Sequence, residues 1–436
     1  MLSGDLASVV ALVWIVGCIA TFFYLLASNR LLPGVVTTIF AASLFLRLVP
    51  ALILPVGAGY YEMSVFREAA DIFRSGESIY QVQVAHPYLP LEIYWFVLAD
   101  WLAENAGLFF IFWVKFLNVL ADSLIAVLIY GGFARFRSEK SAQKAAWLYV
   151  FNPITIMVAA YQGQFDAVPL FFIVLAWYFY EQSQHNDGNY SGAAWFTGLA
   201  ILSKTWPFIL APILFLRLTT WRQRLQVIVL VALPVLIGIS LFELLFPGSW
   251  QPMLRRATRA GAISGWWGYS SVINVWRFLT GSGEELFQWV AQYGKYLGYL
   301  SGFTMIWLTR KRPLIVSLLL TMLVMQTAVP NLGLQSLCWI IPAAIIANRY
   351  NALGWFVVGA LVHMLISYWG IHITDWLYRF FTAPVGNAIV QLSSLAVWSV
   401  MILWWIQELA GSSIKILPDI FSKKPLVSAE TSVKLN

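Results

Sequence analysis

"VAAYQGQFDAVP", residues 158–169, lies between two apolar runs, 142–160 and 164–181, each long enough to enter a membrane. Its centre is Gln162, Gly163, Gln164, Phe165 and Asp166. Two amides and a carboxylate are costly to hold near hydrocarbon. Such a stretch between such runs reads as a reversal of the chain at a membrane surface.

The reading extends along the whole chain. Apolar runs of roughly 20 residues recur throughout, each able to span the hydrocarbon as a helix. The 436 residues are 60% hydrophobic and 11% charged, and the mean hydropathy is +0.74. Soluble domains carry about 25% charged residues, so the composition excludes an ordinary soluble enzyme. Period-two alternation is missing, which favours helices over barrel strands. The expected fold is an all-α polytopic membrane protein. About thirteen spans are expected, at 8–27, 33–55, 108–133, 142–160, 164–181, 190–204, 206–219, 225–246, 287–309, 313–329, 334–348, 352–370 and 386–408. The two short segments at 190–219 suit a bent pair. The run at 8–27 has no preceding Lys or Arg and exceeds a usual signal-peptide core, so it reads as a retained first helix.

The formal charge is +7 and the isoelectric point about 9.3. The basic residues punctuate apolar segments and form no basic-aromatic face, so a nucleic-acid partner is not expected. Arg30, the Arg135 to Lys144 cluster, Arg217 to Arg224, Arg310 to Arg312, Arg349 and the tail lysines agree with one alternating topology. Its N-terminus is outside and its C-terminus inside. Residues 1–410 then form a single transmembrane domain and 411–436 a cytoplasmic tail. Cys18 and Cys338 lie within apolar runs and read as buried packing residues, not a disulfide or metal site.

Two large loops fall on the non-cytoplasmic side, 56–107 and 247–286. The first has helical spacing in "MSVFREAADIF" and a stop at Gly76. Within it, residues 90–106 read as a short helix at the outer surface, because a crossing there breaks the topology. The second holds Arg255, Arg256 and Arg259. Arginines on that side run against the orienting rule, and either bind an anion or touch lipid headgroups.

Several polar residues meet at the outer level on this topology. They are Glu62, the "HPYLP" stretch (86–90) with His86, Gln162 to Asp166, Lys204 in "SKTWP", and Arg47 near the outer end of the second span. Gln162 and Asp166, four apart, are expected on one face of the helix that starts there. Amides and carboxylates read hydroxyl groups well. Asp166 is otherwise explained as a charge favoured by a helix N-terminus. Lys115, Asn118 and Asp122 share one helical stripe, and Asp122 fits a structural use best. His363 reads as a hydrogen-bonded packing residue. Gln335 and Trp339, four apart, line a pocket or pack the core.

The chain resembles the multi-pass glycosyltransferases of the C superfamily, which use a polyprenyl-phosphate sugar as donor. It is most similar to the bacterial mannosyltransferase-like group and the catalytic subunit of GPI mannosyltransferase I. The stretches that carry the likeness keep their order: "LRL" (46–48), "YYEMSVFREAADIFRSGESIY" (60–80), "HPYLP" (86–90), "WVKFLNVLADSLIAVLIY" (113–130), "FNPITIMVAAYQGQFDAV" (151–168) and "GLAILSKTWPFILAPI" (198–213), with a weaker "LQSLCWIIP" (334–342). The resemblance implies an inverting transferase in a cell membrane, or in the endoplasmic reticulum membrane, with its site on the non-cytoplasmic side. It implies a general base at Glu62. The family usually has Asp there, and the GPI-type enzymes have a second Asp where this chain has Tyr60. No cofactor is called for, and the missing Asp-x-Asp pattern leaves a divalent metal open.

The residue types suit that chemistry. A lipid phosphate leaves as a stable anion, so cations help more than an acid does. Arg47, Lys204, Arg255, Arg256 and Arg259 are the candidate cations. One carboxylate, Glu62, takes the proton of the acceptor hydroxyl. His86, Gln162, Gln164, Asp166 and Gln335 are candidate contacts to the sugar or its phosphate. The expected partners are a polyprenyl-phosphate sugar donor, a glycan or glycolipid acceptor, and membrane lipids, with a hexose, mannose first, as the sugar. The rival readings are a transporter or flippase of a lipid-linked sugar and a silent subunit of a transferase complex.

Overall fold

A computed structural model describes residues 4–28, 32–54, 60–82, 88–185, 188–259, 264–369, 383–411 and 416–421. The described residues are helices and their connections, with no strand among them. The fold is that of an all-α polytopic membrane protein.

The chain runs through α1 (Gly4–Ala27), α2 (Val36–Ile53), α3 (Tyr60–Arg74), α4 (Leu91–Ala106), α5 (Phe110–Phe136), α6 (Glu139–Val150) and α7 (Pro153–Ile156). It continues with α8 (Ala167–His185), α9 (Ser191–Ser203), α10 (Leu210–Phe215), α11 (Trp221–Leu245), α12 (Trp250–Arg259) and α13 (Gly268–Thr280). It ends with α14 (Glu284–Leu308), α15 (Leu314–Ala328), α16 (Ile340–Ile346), α17 (Tyr350–Met364) and α18 (Pro384–Ala410). Each expected span coincides with a helix or a broken pair, and α3, α4, α12 and α13 occupy the two large loops. By length and composition α1, α2, α5, α11, α17 and α18 can each cross a membrane. Shorter apolar helices fill 191–203, 206–215, 314–328 and 334–346.

Irregular backbone occurs where protein surrounds it. α7 widens into a π turn, Met157–Gln162, whose residues are all buried. A 3-10 turn, Trp206–Ile209, leads into α10, and another, Leu334–Trp339, leads into α16. Backbone polar groups at membrane depth need such cover, because lipid offers them no hydrogen bonds. α15 is buried along nearly its whole length and is apolar all round, as a central helix must be.

Helix α14 shows how the sequence sets a close packing. Gly294, Gly298 and Gly302 recur every four residues on its inner face. A Cβ at Gly298 would lie 2.4 Å from Val329 Cγ1, and one at Gly302 would lie 2.5 Å from Met325 Cγ. Small residues at this spacing let two helices approach closely in a membrane. The opposite face exposes Trp289, Leu297, Leu300, Phe303 and Trp307, as a lipid-facing surface requires.

The two large loops pack against each other at one end of the bundle. Phe66 of α3 stacks on Phe96 of α4 with ring centroids 4.4 Å apart. Asp100 of α4, nearly buried, pairs with Arg67 at 3.1 Å and also with Arg74. Arg74 reaches Glu104 at 2.6 Å. The second loop is fastened to the first. Ser78 and Ser249 hydroxyls bond at 2.7 Å, Gln81 Nε2 donates to the Pro247 carbonyl at 2.9 Å, and Arg256 donates to the Val82 carbonyl.

Candidate functional site

The reversal at 158–169 is built in steps. α6 ends at Val150, and the Asn152 side chain caps the next helix, accepting from Ile154 N at 3.0 Å and Thr155 N at 3.3 Å. Pro153 supplies the first helical position. The π turn then stops at Gly163, whose φ of +72° lies in the left-handed region. The Gln164 N–H donates back to the Val158 carbonyl at 3.1 Å. α8 begins only at Ala167, with Pro169 in its first turn. Gln162 therefore ends one helix and Asp166 precedes the next. They flank a reversal and do not share one helical face, because the glycine breaks the helix between them.

Three segments also meet closely at Gly163. A Cβ there would fall 2.6 Å from Met63 Cε and 2.8 Å from Lys115 Cγ. Met63 belongs to the first turn of α3, directly after Glu62. The backbone carrying Glu62 thus packs by its neighbour onto the Gln162 to Asp166 turn. The Glu62 side chain lies outside the described residues, as do His86, His372, Asp375 and the side chain of Arg259.

Asp166 is the hub of the turn and is fully buried. Its Oδ2 lies 2.8 Å from Lys204 Nζ, and Lys204 is itself buried at the C-terminal end of α9. Its Oδ1 accepts from Trp339 Nε1 at 2.7 Å. Trp339 stacks on Trp206 with ring centroids 4.0 Å apart and planes 10° from parallel. Lys204 Nζ sits 4.6 Å from the centroid of Tyr88, just before α4. The pair joins residues 38 apart in sequence, and the tryptophan bond joins residues 173 apart. Gln162 and Gln164 are buried beside this hub in the same turn.

Glu92 was not legible as a site residue. It is the second residue of α4 and is fully buried, and neither carboxylate oxygen has a hydrogen-bond partner among the described residues. Burial pushes its pKa up to about 8; the charge of Lys204 works against that rise and the charge of Asp166 adds to it. The sequence signal was slight: one acid directly behind "HPYLP".

Arg47 is fully buried. All five N–H groups of its guanidinium have partners. Nε meets Asp122, Nη1 donates to the carbonyls of Ser43 at 3.3 Å and Val150 at 3.0 Å, and Nη2 donates to Tyr149 O at 3.4 Å and Thr155 Oγ1 at 3.0 Å. Tyr149 donates its hydroxyl to Asp122. This buried network ties α2, α5, α6 and α7 together. Lys115 donates to the Leu54 carbonyl at 2.9 Å. His363 is buried with its Nδ1 2.8 Å from Ser393 Oγ, in keeping with a packing role.

Arg255 is exposed on α12, while Arg256 is half-buried against the first loop. Gln335 is half-buried on the 3-10 turn before α16. Four residues in a 3-10 turn advance by about 120° beyond one rotation, since each turn takes three residues. Gln335 and Trp339 therefore do not share the face that an α-helix would give them. Cys18 and Cys338 are buried and free. Among the described residues, no three of His, Cys, Asp and Glu come together as a metal site would need.

A crystal structure of ArnT from Cupriavidus metallidurans bound to undecaprenyl phosphate aligns with 85% of this chain and 75% of its own, with a TM-score of 0.50. The chain has the ArnT fold. Sequence identity to ArnT is 15%, so the likeness is one of architecture. The all-α polytopic membrane architecture expected from the sequence is the architecture found. No protein-family model matches the chain, and no curated protein matches it.

Proposed function

We propose that the protein is an inverting membrane glycosyltransferase. It moves a hexose, mannose first, from a polyprenyl-phosphate sugar to a glycan or glycolipid acceptor on the non-cytoplasmic side. The observation that carries this reading is the buried Asp166, Lys204 and Trp339 constellation, set against Tyr88 of the first large loop, in a fold shared with a protein that binds undecaprenyl phosphate. The ordered motifs from "LRL" to "LQSLCWIIP" support the same conclusion and supply the mannosyltransferase preference.

The proposed roles follow from chemistry. Glu62, at the start of α3, takes the proton of the acceptor hydroxyl as that oxygen attacks the anomeric carbon. The C–O bond to the lipid phosphate breaks on the opposite face, and the phosphate leaves as an anion. Attack from the face opposite the leaving group inverts the anomeric centre. Arg255, Arg256 and Arg259 of the second loop, together with His86, are the proposed phosphate readers. Lys204 holds Asp166, and Asp166, Gln162, Gln164 and Gln335 read sugar hydroxyls. Arg47 anchors the helices beneath.

Reconstituted protein, offered polyprenyl-phosphate mannose labelled in the sugar, tests the reading. Transfer to a lipid-soluble or glycan acceptor, with the anomeric configuration opposite to the donor's, is the expected result. Retention of configuration or hydrolysis alone argues against it.

A further inference from the structure

We infer that Glu92 is a hydroxyl-binding residue of the Asp166 and Lys204 site, and that its partner is a pair of adjacent hydroxyls on a sugar. The ligand class rests on the glycosyltransferase reading; the open carboxyl does not.

Asp166 already holds Lys204 and Trp339 through its two oxygens. Lys204 neutralises it. Glu92 stands within their electrostatic reach, at the head of α4, with both oxygens buried and unpartnered among the described residues. A buried polar group without partners is destabilising, and a carboxyl has two oxygens to fill. A fold keeps such a group when something else completes it. An anion is the wrong ligand, because Asp166 already neutralises Lys204 and leaves no net positive charge to hold one. The donor phosphate must then sit elsewhere. A neutral ligand with adjacent hydroxyls fits a protonated carboxyl, which donates one hydrogen bond and accepts another. Aromatic faces stand close by in Tyr88, which lies against Lys204, and in the stacked Trp206 and Trp339. Polar groups beside aromatic surface suit a sugar ring, which has hydroxyls at its rim and C–H groups on its faces.

The experiment compares the full-length protein with Glu92→Leu and Glu92→Gln in detergent. Three quantities are read: the melting temperature without ligand, its rise with methyl mannoside, methyl glucoside and methyl arabinoside, and KM for polyprenyl-phosphate mannose and for its acceptor. The inference expects Glu92→Leu to melt higher than the natural protein, since a buried unpaired carboxyl is gone. It expects the glycoside-dependent rise to vanish and one KM to increase about tenfold, the loss of two hydrogen bonds. Glu92→Gln should recover most of that KM. A Glu92→Leu variant that melts lower or does not fold marks a structural carboxyl and overturns the inference. So does an unchanged KM. Should the natural protein transfer no sugar yet gain stability from a glycoside that Glu92→Leu ignores, the binding residue stands and the transferase reading falls. No glycoside response and no transfer overturns both.

Discussion

Lys204 Nζ and Asp166 Oδ2 lie 2.8 Å apart with their side chains 3% and 0% exposed. A buried ion pair is costly to form and costlier to break on one side. Lys204→Met alone should therefore destabilise by about 3–5 kcal/mol. Asp166→Asn alone should do similar damage. The double variant should be more stable than Lys204→Met, because no uncompensated charge remains. Thermal melting of the four proteins in one detergent checks the ordering, and additive losses would contradict the pairing.

The Gly163 position combines a positive φ with a crowded surface. Gly163→Ala adds strain of roughly 1–2 kcal/mol from the left-handed backbone. It also drives a methyl into Met63 and Lys115, 2.6 Å and 2.8 Å from the new Cβ. Met63 can give at its flexible end, but Lys115 Cγ cannot easily. The first turn of α3 should shift, and with it the reach of Glu62. We expect kcat to fall by more than the loss in folded protein explains. Unchanged kcat in the folded fraction would separate the turn from the chemistry.

Glu92 makes stability depend on pH. Its carboxyl titrates at about 8 when folded, against an ordinary 4.5. The folded state therefore keeps a proton that the unfolded chain loses above about pH 4.5. Stability from this group is full below that pH and declines as pH rises towards 8. Melting temperatures of the natural protein should fall across this window relative to Glu92→Gln. Parallel pH curves would show that Glu92 does not hold its proton.

Arg47 separates anchoring from phosphate recognition. With every N–H engaged, Arg47→Lys should lose several bonds at once, because a lysine cannot reproduce the planar fork. We expect a loss of about 3–5 kcal/mol, as for a broken buried pair. In whatever protein remains folded, KM for the lipid-phosphate donor should be unchanged. A raised KM with normal stability would return Arg47 to the phosphate site.

Much of this was written in the sequence. The thirteen apolar runs coincide with helices because hydrocarbon sets their length, and length survives without any knowledge of neighbours. The short helices of the first loop were legible from amphipathic spacing and Gly76. The breaks inside runs were not. Residues 142–160 read as one span, yet Asn152 and Pro153 divide them, and hydropathy carries no signal for a π turn. The placement of Gln162 and Asp166 failed on Gly163, whose φ of +72° ends the helix. The partners of Arg47 and Asp166 lie 75 and 173 residues away in sequence, at Asp122 and Trp339, beyond any local pattern. Glu92 escaped notice because an acid in the first turn of a helix usually answers the dipole. Only packing shows that it is buried and without a partner.

The central claim is that a carboxylate at position 62 takes the proton from the acceptor. Its most direct test is the rate of sugar transfer from polyprenyl-phosphate mannose by the natural protein, Glu62→Gln and Glu62→Asp, each reconstituted in the same lipid and checked for folding by melting temperature. Gln should abolish turnover with little change in stability, while Asp should keep it in part or in full. Turnover by Glu62→Gln equal to that of the natural protein would contradict it.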